Sequence, residues 1–130
     1  MDDYLRNWII KAENDLKTAK ILLKEKELIT DSICFHCQQS VEKYLKAFLI
    51  FEGKQPEKTH IIEKLLMECV EIDKGFIYFD EITAGFTYYA VENRYPDDFY
   101  IPSVEEAEEA VSAAEKIKEF VMEKLQGKGN

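Results

Sequence analysis

The fold is decided by the stretch Phe35-His36-Cys37-Gln38-Gln39-Ser40-Val41-Glu42-Lys43-Tyr44-Leu45-Lys46-Ala47. Its apolar residues recur at three- and four-residue spacing, which predicts an amphipathic helix. The stripe extends in both directions and consists of Ile33, Cys34, Cys37, Val41, Tyr44, Leu45, Phe48 and Leu49. Three further apolar residues, Phe35, Ala47 and Ile50, fall off this stripe. We therefore expect a helix that is apolar on more than one side and central in the molecule.

Capping and breaking residues set the expected ends of the helices. The central helix should open at Thr30 or Asp31 and end at Phe51, before a glycine and a proline. A first helix is predicted over residues 3–26, and a third should begin at Thr59 and stop at Lys74-Gly75. A short helix should run from Asp80 through Val91. The last helix follows Ser103, which opens a capping box with two glutamates.

These segments predict an all-α fold, because no stretch reads as a strand. Long helices joined by short connections favour an antiparallel up-and-down bundle of four long helices plus one short helix. We expect residues 1–126 to form a single domain and residues 127–130 to be a frayed tail.

Composition and charge restrict the classes of function. The chain is 46% hydrophobic and 12% aromatic, which is typical of a folded domain. It holds no run of about 18 uncharged apolar residues, and its first residues are acidic, so we expect a cytoplasmic protein with no membrane contact. The net charge of −9 argues against nonspecific binding to DNA and favours a basic or nucleotide–metal partner.

The three cysteines, Cys34, Cys37 and Cys69, lie within apolar helical patterns. The C-x-x-C spacing of the first two could indicate zinc or redox chemistry. A second pair of ligands at finger spacing and a βαβ context are both missing from the sequence. We interpret the cysteines as buried thiols that pack as small hydrophobes, and we expect no metal and no cofactor.

Polar residues form a second row on the central helix, on the side away from the main apolar stripe. This row consists of His36, Gln39, Ser40, Lys43 and Lys46. Imidazole, amide, hydroxyl and ammonium groups in a row could hold a phosphate or a nucleotide base. The alternative is a solvated face, with Gln38 and Glu42 in contact beside it.

Four motifs together resemble the HEPN domain family. The run Gln38 to Ala47 resembles that family's QQ-x-x-EK-x-LKA centre, and Trp8, Ala12, Asp15-Leu16 and Ala19 resemble its first helix. Lys58-Thr59-His60 and Arg94-Tyr95-Pro96 match its K-T-H and R-Y-P motifs in the same order. The resemblance covers roughly residues 4–121. It implies an all-α bundle that usually dimerises, often beside a small nucleotidyltransferase in a two-component, toxin–antitoxin-like module.

The resemblance also implies a ribonuclease motif that this chain lacks in part. Catalytic members are metal-independent and use an arginine followed by a histidine after four to six residues. Arg94 occupies the arginine position, but Phe99, Tyr100 and Ile101 stand where the histidine should follow. Without an imidazole, the proton-transfer group for attack by a 2′-hydroxyl is missing. We therefore lean against enzymatic activity by this route.

Two of the matched residues have alternative roles. Arg94 could retain phosphate binding beside Tyr95, or it could stack on Tyr88, Tyr95 or Tyr100 or pair with Glu92 or Asp97. His60 is predicted at the first position of a helix, where it could meet an anion or merely pack beside Thr59. The candidates for nucleotide or phosphate binding are His36, Gln39, Lys43, Lys46, His60, Arg94 and Tyr95.

Three hypotheses about function follow. The first is a HEPN-like binding module that dimerises and binds a small nucleotidyltransferase and a nucleotide or RNA. The second is a metal-independent ribonuclease that uses Arg94 with His36 or His60. The third is a purely structural dimeric scaffold.

Overall fold

The fold is an all-α bundle, as predicted, and a computed structural model describes its residues 1–90 and 100–127. The helices are α1 (Asp3–Leu23), α2 (Thr30–Phe51), α3 (Ile62–Ile72), the four-residue α4 (Phe79–Ile82) and α5 (Val104–Gly127). Two 3-10 segments, Lys74–Tyr78 and Phe86–Ala90, lie on either side of α4. No helix in the described part of the chain is long and apolar enough to cross a membrane.

The central position of α2 is confirmed, because it packs against α1, α3, α5 and the 3-10 segment after α4. Its apolar stripe, which includes Tyr44 and Phe48, is buried. Ala12 of α1 contacts Ser40, and Trp8 of α1 contacts Lys46, so α1 and α2 run antiparallel. The starts of α2 and α5 lie together, where the Thr30 hydroxyl donates to the Pro102 carbonyl at 2.6 Å.

The start of α3 returns to the middle of α2. The Gln38 amide donates to the His60 carbonyl at 3.2 Å, and Cys69 Sγ lies 3.7 Å from the Leu45 carbonyl oxygen. These contacts show that α3 runs parallel to α2. The connection of residues 52–61 is long enough to return the chain along α2 before α3 begins. This crossover brings the K-T-H segment next to the polar row of α2.

Several predicted helix ends were wrong. α1 ends at Leu23 rather than Lys26, because the Lys24 N–H turns back to the Ile21 carbonyl. Thr30 is the first residue of α2 rather than its cap, since its hydroxyl is used by Pro102. α3 begins at Ile62 rather than after Thr59, although the Thr59 hydroxyl still accepts from the Ile61 N–H. It ends at Ile72, two residues before the predicted stop.

The predicted short helix from Asp80 is also interrupted. Asp80 lies inside α4, which ends at Ile82, and Gly85 then adopts a φ of +90°. This left-handed conformation suits glycine and breaks an α-helix. The chain continues as the 3-10 segment Phe86–Ala90, and Val91 lies outside the described residues. Ser103 caps the start of α5, because its Oγ accepts from the Glu106 N–H at 3.0 Å. The predicted capping box is only half formed, since the Glu106 carboxylate accepts from the Tyr89 and Tyr100 hydroxyls.

The Tyr44 hydroxyl is buried in the core, and no group of the described chain hydrogen-bonds to it. Burial raises the pKa of Tyr44 above its usual range, so the group stays neutral. An unsatisfied buried hydroxyl costs about 1–3 kcal/mol of desolvation. We expect Tyr44→Phe to raise the free energy of unfolding in urea by about 1 kcal/mol. The exposed Tyr78→Phe should change it by less than about 0.5 kcal/mol, and a loss on Tyr44→Phe would mean that the hydroxyl is satisfied.

Candidate functional site

The first part of the site is a carboxylate of α1 that holds two groups of α2. His36 Nδ1 lies 3.0 Å from Asp15 Oδ1, and Lys43 Nζ forms an ion pair with Asp15 Oδ2. One turn along, the Ser40 hydroxyl donates to the Ala12 carbonyl at 2.8 Å. These contacts join α1 to the polar row of α2. The interpretation of this row as a solvated face is therefore wrong.

The second part is centred on Glu42, whose side chain is only 4% exposed. Lys46 Nζ lies 2.9 Å from Glu42 Oε2, and His60 Nδ1 lies 2.9 Å from Glu42 Oε1. The Gln38 amide also donates to Oε1 at 3.2 Å, which confirms the predicted contact between these two side chains. Gln39 Nε2 in turn donates to Gln38 Oε1 at 2.7 Å. A buried carboxylate is thus held by three donors from two segments of the chain.

The position of His60 differs from the prediction. It lies two residues before α3 rather than at its first position, and its side chain is 70% exposed rather than packed beside Thr59. An ionised carboxylate can only accept, so His60 Nδ1 must carry the proton that faces Glu42. The Nε2 atom then remains available on the exposed edge of the ring. The same reasoning applies to His36 and Asp15.

An aromatic ring completes one side of the site. Lys46 Nζ lies 5.6 Å from the centroid of the Trp8 ring, within the range of a cation–π contact. The Lys46 side chain is 9% exposed, whereas that of Lys43 is 21% exposed. Lys46 is therefore mainly a buried partner of Glu42 and Trp8. Lys43 and the two histidines reach the surface.

Five of the seven candidate residues lie in two clusters along α2. His36 and Lys43 contact Asp15, whereas Lys46, His60 and Gln39 surround Glu42 and Gln38. Arg94 and Tyr95 lie outside the described residues, and so do Glu92 and Asp97, the suggested ion-pair partners of Arg94. Thr87 accepts a hydrogen bond from the Ile62 N–H at 2.9 Å, two residues from His60.

Two carboxylates, Asp15 and Glu42, organise the site but were not among the predicted site residues. Glu42 could have been found from its spacing, because Gln38, Glu42 and Lys46 follow one another at four-residue intervals. Asp15 lies on another helix, and only the packing of α1 on α2 reveals its role. Buried charges are usually paired, so a carboxylate partner for Lys43 could have been expected, but the sequence alone does not identify it as Asp15.

The cysteines lie in the core rather than at the site. Cys34, Cys37 and Cys69 are all free and buried, as predicted. Burial raises the pKa of Cys34 to about 12 and raises those of the other two further, so all three are protonated thiols at neutral pH. Across residues 1–90 and 100–127, no group of three His, Cys, Asp or Glu side chains is arranged to hold a metal ion.

Solved structures share this helical architecture over nearly the whole chain. The structure of TT1696 from Thermus thermophilus is similar with a TM-score of 0.76 and 29% identity, over 95% of this chain and 99% of that one. ST0689, described as an archaeal HEPN homologue, has a TM-score of 0.73 at 24% identity, over 93% and 97% of the two chains. The second likeness shows the fold alone. These comparisons define the class as a small all-helical bundle.

The family follows from the sequence match. The HEPN domain model matches residues 5–125, so this chain belongs to the HEPN domain family. A curated relative from Methanocaldococcus jannaschii, named "Putative toxin MJ1304", is 48% identical over 50 residues. That match covers 38% of this chain and 32% of the relative, so the chain matches about a third of that protein's length.

Proposed function

We propose that this chain is a HEPN binding module that acts as one component of a toxin–antitoxin-like pair in the cytoplasm. Its proposed partner is a small nucleotidyltransferase, and its proposed ligand is a nucleotide or RNA phosphate. The observation that carries the proposal is the pair of cationic and imidazole clusters along α2, with His36 and Lys43 on Asp15 and with Lys46 and His60 on Glu42. Family membership and the relative named as a toxin support the two-component part.

The exposed parts of this face would contact the ligand. Each lysine has three donors, and Lys43 keeps some of them for a phosphate oxygen beside its ion pair with Asp15. The outer edge of His60 and the half-buried Gln39 add an imidazole and an amide. Lys46 would act from behind, by holding Glu42 and the Trp8 ring in place. Arg94 and Tyr95 remain proposed members of the site.

A ribonuclease remains the second candidate because of one observation. Glu42 orients His60 with its outer nitrogen exposed, which is how a carboxylate orients a general base. Catalysis would also require a cation against the phosphate, and Arg94 is the candidate. The broken arginine–histidine motif favours binding over cleavage.

Dimerisation is part of the proposal. Large apolar side chains remain exposed on several faces, among them Ile10 and Ile21 on α1 and Ile77 and Tyr78 beside α4. Exposed apolar surface of this kind often marks an interface between subunits. A dimer would cover part of this exposed apolar surface.

Light scattering on a size-exclusion column tests the partner and the dimer in one experiment. We expect the chain alone to have twice its 15.2 kDa mass, and an added small nucleotidyltransferase from the same organism to form a heavier, stable complex. An unrelated acidic helical protein of similar mass serves as the control. A monomer at micromolar concentration contradicts the dimer, and separate elution of the two proteins contradicts the partner.

A further inference from the structure

The direction of the His60 ring is fixed by contacts with α2 on both its backbone and its side chain. The His60 carbonyl accepts from Gln38 Nε2 at 3.2 Å, and the same amide donates to Glu42 Oε1 at 3.2 Å. A carbonyl and a carboxylate only accept, so these two partners determine the orientation of the Gln38 amide. Gln39 Nε2 donates to Gln38 Oε1 at 2.7 Å and holds the amide at its oxygen. The histidine is therefore preorganised before any ligand arrives.

Charge balance around Glu42 indicates which ring nitrogen of His60 carries a proton. The Glu42 side chain is 4% exposed, and Lys46 Nζ already lies 2.9 Å from its Oε2. One ammonium balances one carboxylate, so a neutral imidazole completes the cluster without a surplus charge. His60 Nδ1, which lies 2.9 Å from Glu42 Oε1, then carries the single N–H of the ring. The other nitrogen, Nε2, is therefore a hydrogen-bond acceptor.

An acceptor nitrogen selects ligand groups that donate. The phosphate oxygens of a nucleic-acid backbone only accept, so a neutral Nε2 forms no hydrogen bond with them. The ribose 2′-hydroxyl can donate, and it is the group by which a protein distinguishes RNA from DNA. The His60 side chain is 70% exposed, so a sugar can approach this nitrogen directly.

The lysines of the site do not make this distinction. Lys43 offers only donors, and the phosphates that it would contact are the same in RNA and DNA. The Lys46 side chain is 9% exposed and is bonded to Glu42. Contacts with phosphate supply affinity, so the choice of sugar has to come from a group of another kind.

We propose that His60 is the residue by which the site selects ribonucleotides over deoxyribonucleotides, with Nε2 accepting a hydrogen bond from the 2′-hydroxyl. Glu42 is its positioning residue, because it sets the tautomer of the ring. The contact belongs to the bound state and requires no cleavage. This inference rests on the proposed ligand and narrows it to one that contains ribose. RNA and a free ribonucleotide share this chemistry, so the experiment includes both.

Fluorescence anisotropy of the full chain with labelled single strands tests the selection. The strands are RNA and 2′-fluoro RNA of one sequence, in a metal chelator and mildly alkaline buffer, where an ordinary imidazole is neutral. The 2′-fluoro strand is the matched control, because it keeps the sugar pucker of RNA and lacks the donor. We expect it to bind about three- to tenfold more weakly, as the loss of one neutral hydrogen bond predicts. Equal affinities overturn the role of His60 while the proposed ligand stands, whereas no binding of any strand or nucleotide overturns both.

Competition against the labelled RNA separates the two sources of ribose. If AMP displaces the strand and 2′-deoxy-AMP does so more weakly, a free ribonucleotide is a ligand. If neither nucleotide competes while RNA is still preferred to its 2′-fluoro form, the ligand is an RNA strand. Both results support the role of His60, and equal displacement by AMP and 2′-deoxy-AMP contradicts it.

Two variants of the full chain separate recognition of the sugar from recognition of the phosphate. His60→Asn keeps an amide donor for Glu42 in the place of Nδ1 and removes the outer acceptor. It should fold, bind 2′-fluoro RNA as the wild type does and lose the preference for RNA. Lys43→Gln should weaken binding of both strands by the same factor and keep the preference. A preference for RNA that survives in His60→Asn, or an equal loss of affinity for both strands in that variant, overturns the proposal.

The tautomer of His60 can be observed directly in long-range ¹H–¹⁵N spectra of the histidine-labelled protein. We expect a protonated Nδ1 and an unprotonated Nε2 in the wild type. In Glu42→Gln, Lys46 retains the amide oxygen and the amide nitrogen faces His60, so the ring proton should move toward Nε2. A lower stability of this variant would not by itself change the tautomer. A protonated Nε2 in the wild type overturns the proposal, and an unchanged tautomer in Glu42→Gln contradicts the positioning role of Glu42.

Discussion

Glu42→Ala should lower the free energy of unfolding by about 3–5 kcal/mol, because it leaves a buried cation without its partner. Lys46 is 9% exposed and would lose its carboxylate, and Gln38 would lose one of its acceptors. His60 would lose the contact that ties the start of α3 to α2. Urea unfolding followed by circular dichroism measures the change.

The exposed Glu108→Ala provides the matched control and should change stability by less than about 0.5 kcal/mol. A double variant, Glu42→Leu with Lys46→Met, should recover much of the loss, because replacing a whole buried ion pair with apolar groups is often neutral. A loss of less than about 1 kcal/mol in Glu42→Ala would show that Glu42 and Lys46 are solvated.

Leu45→Ala should cost about 2–5 kcal/mol. Leu45 is fully buried on the side of α2 that faces α3, where its carbonyl lies near Cys69 Sγ. The substitution removes apolar contacts and leaves a cavity that rigid helices cannot close. The same urea experiment on Met67→Ala, an exposed residue of α3, should give a small change. A loss below about 0.5 kcal/mol for Leu45→Ala would place the core elsewhere.

The fold could be predicted largely from local patterns. The apolar stripe of α2, the central position of that helix and the N-cap at Ser103 all follow from residue spacing and are confirmed. The ends of the helices were less predictable, because they depend on distant groups. Thr30 begins α2 with its hydroxyl on Pro102, which lies far along the chain. The direction of α3 relative to α2 depends on how the connection of residues 52–61 folds back, and the residue spacing within the helices does not predict it.

The site was predictable in part. Four candidate residues lie along α2 as their spacing predicts, and His60 of the K-T-H segment packs against Gln38 and Glu42 of that helix. Their partners were harder to predict, since Asp15 comes from another helix. A row of polar residues on a helix can be solvated or paired with a neighbouring helix, and sequence periodicity is the same in both cases.

The central claim is that this HEPN module binds RNA or a nucleotide rather than cleaving it. It is tested most directly by mixing the protein with a 5′-labelled single-stranded RNA in a metal chelator, with anisotropy and a gel read from the same sample. We predict saturable binding of RNA that stays intact, weakened several-fold by Lys43→Gln but not by Lys11→Gln, which removes an exposed lysine of α1. Absence of binding would contradict the proposed ligand. Metal-independent cleavage that is abolished by Arg94→Ala, and by either His36→Ala or His60→Ala, would contradict the claim and establish the ribonuclease alternative.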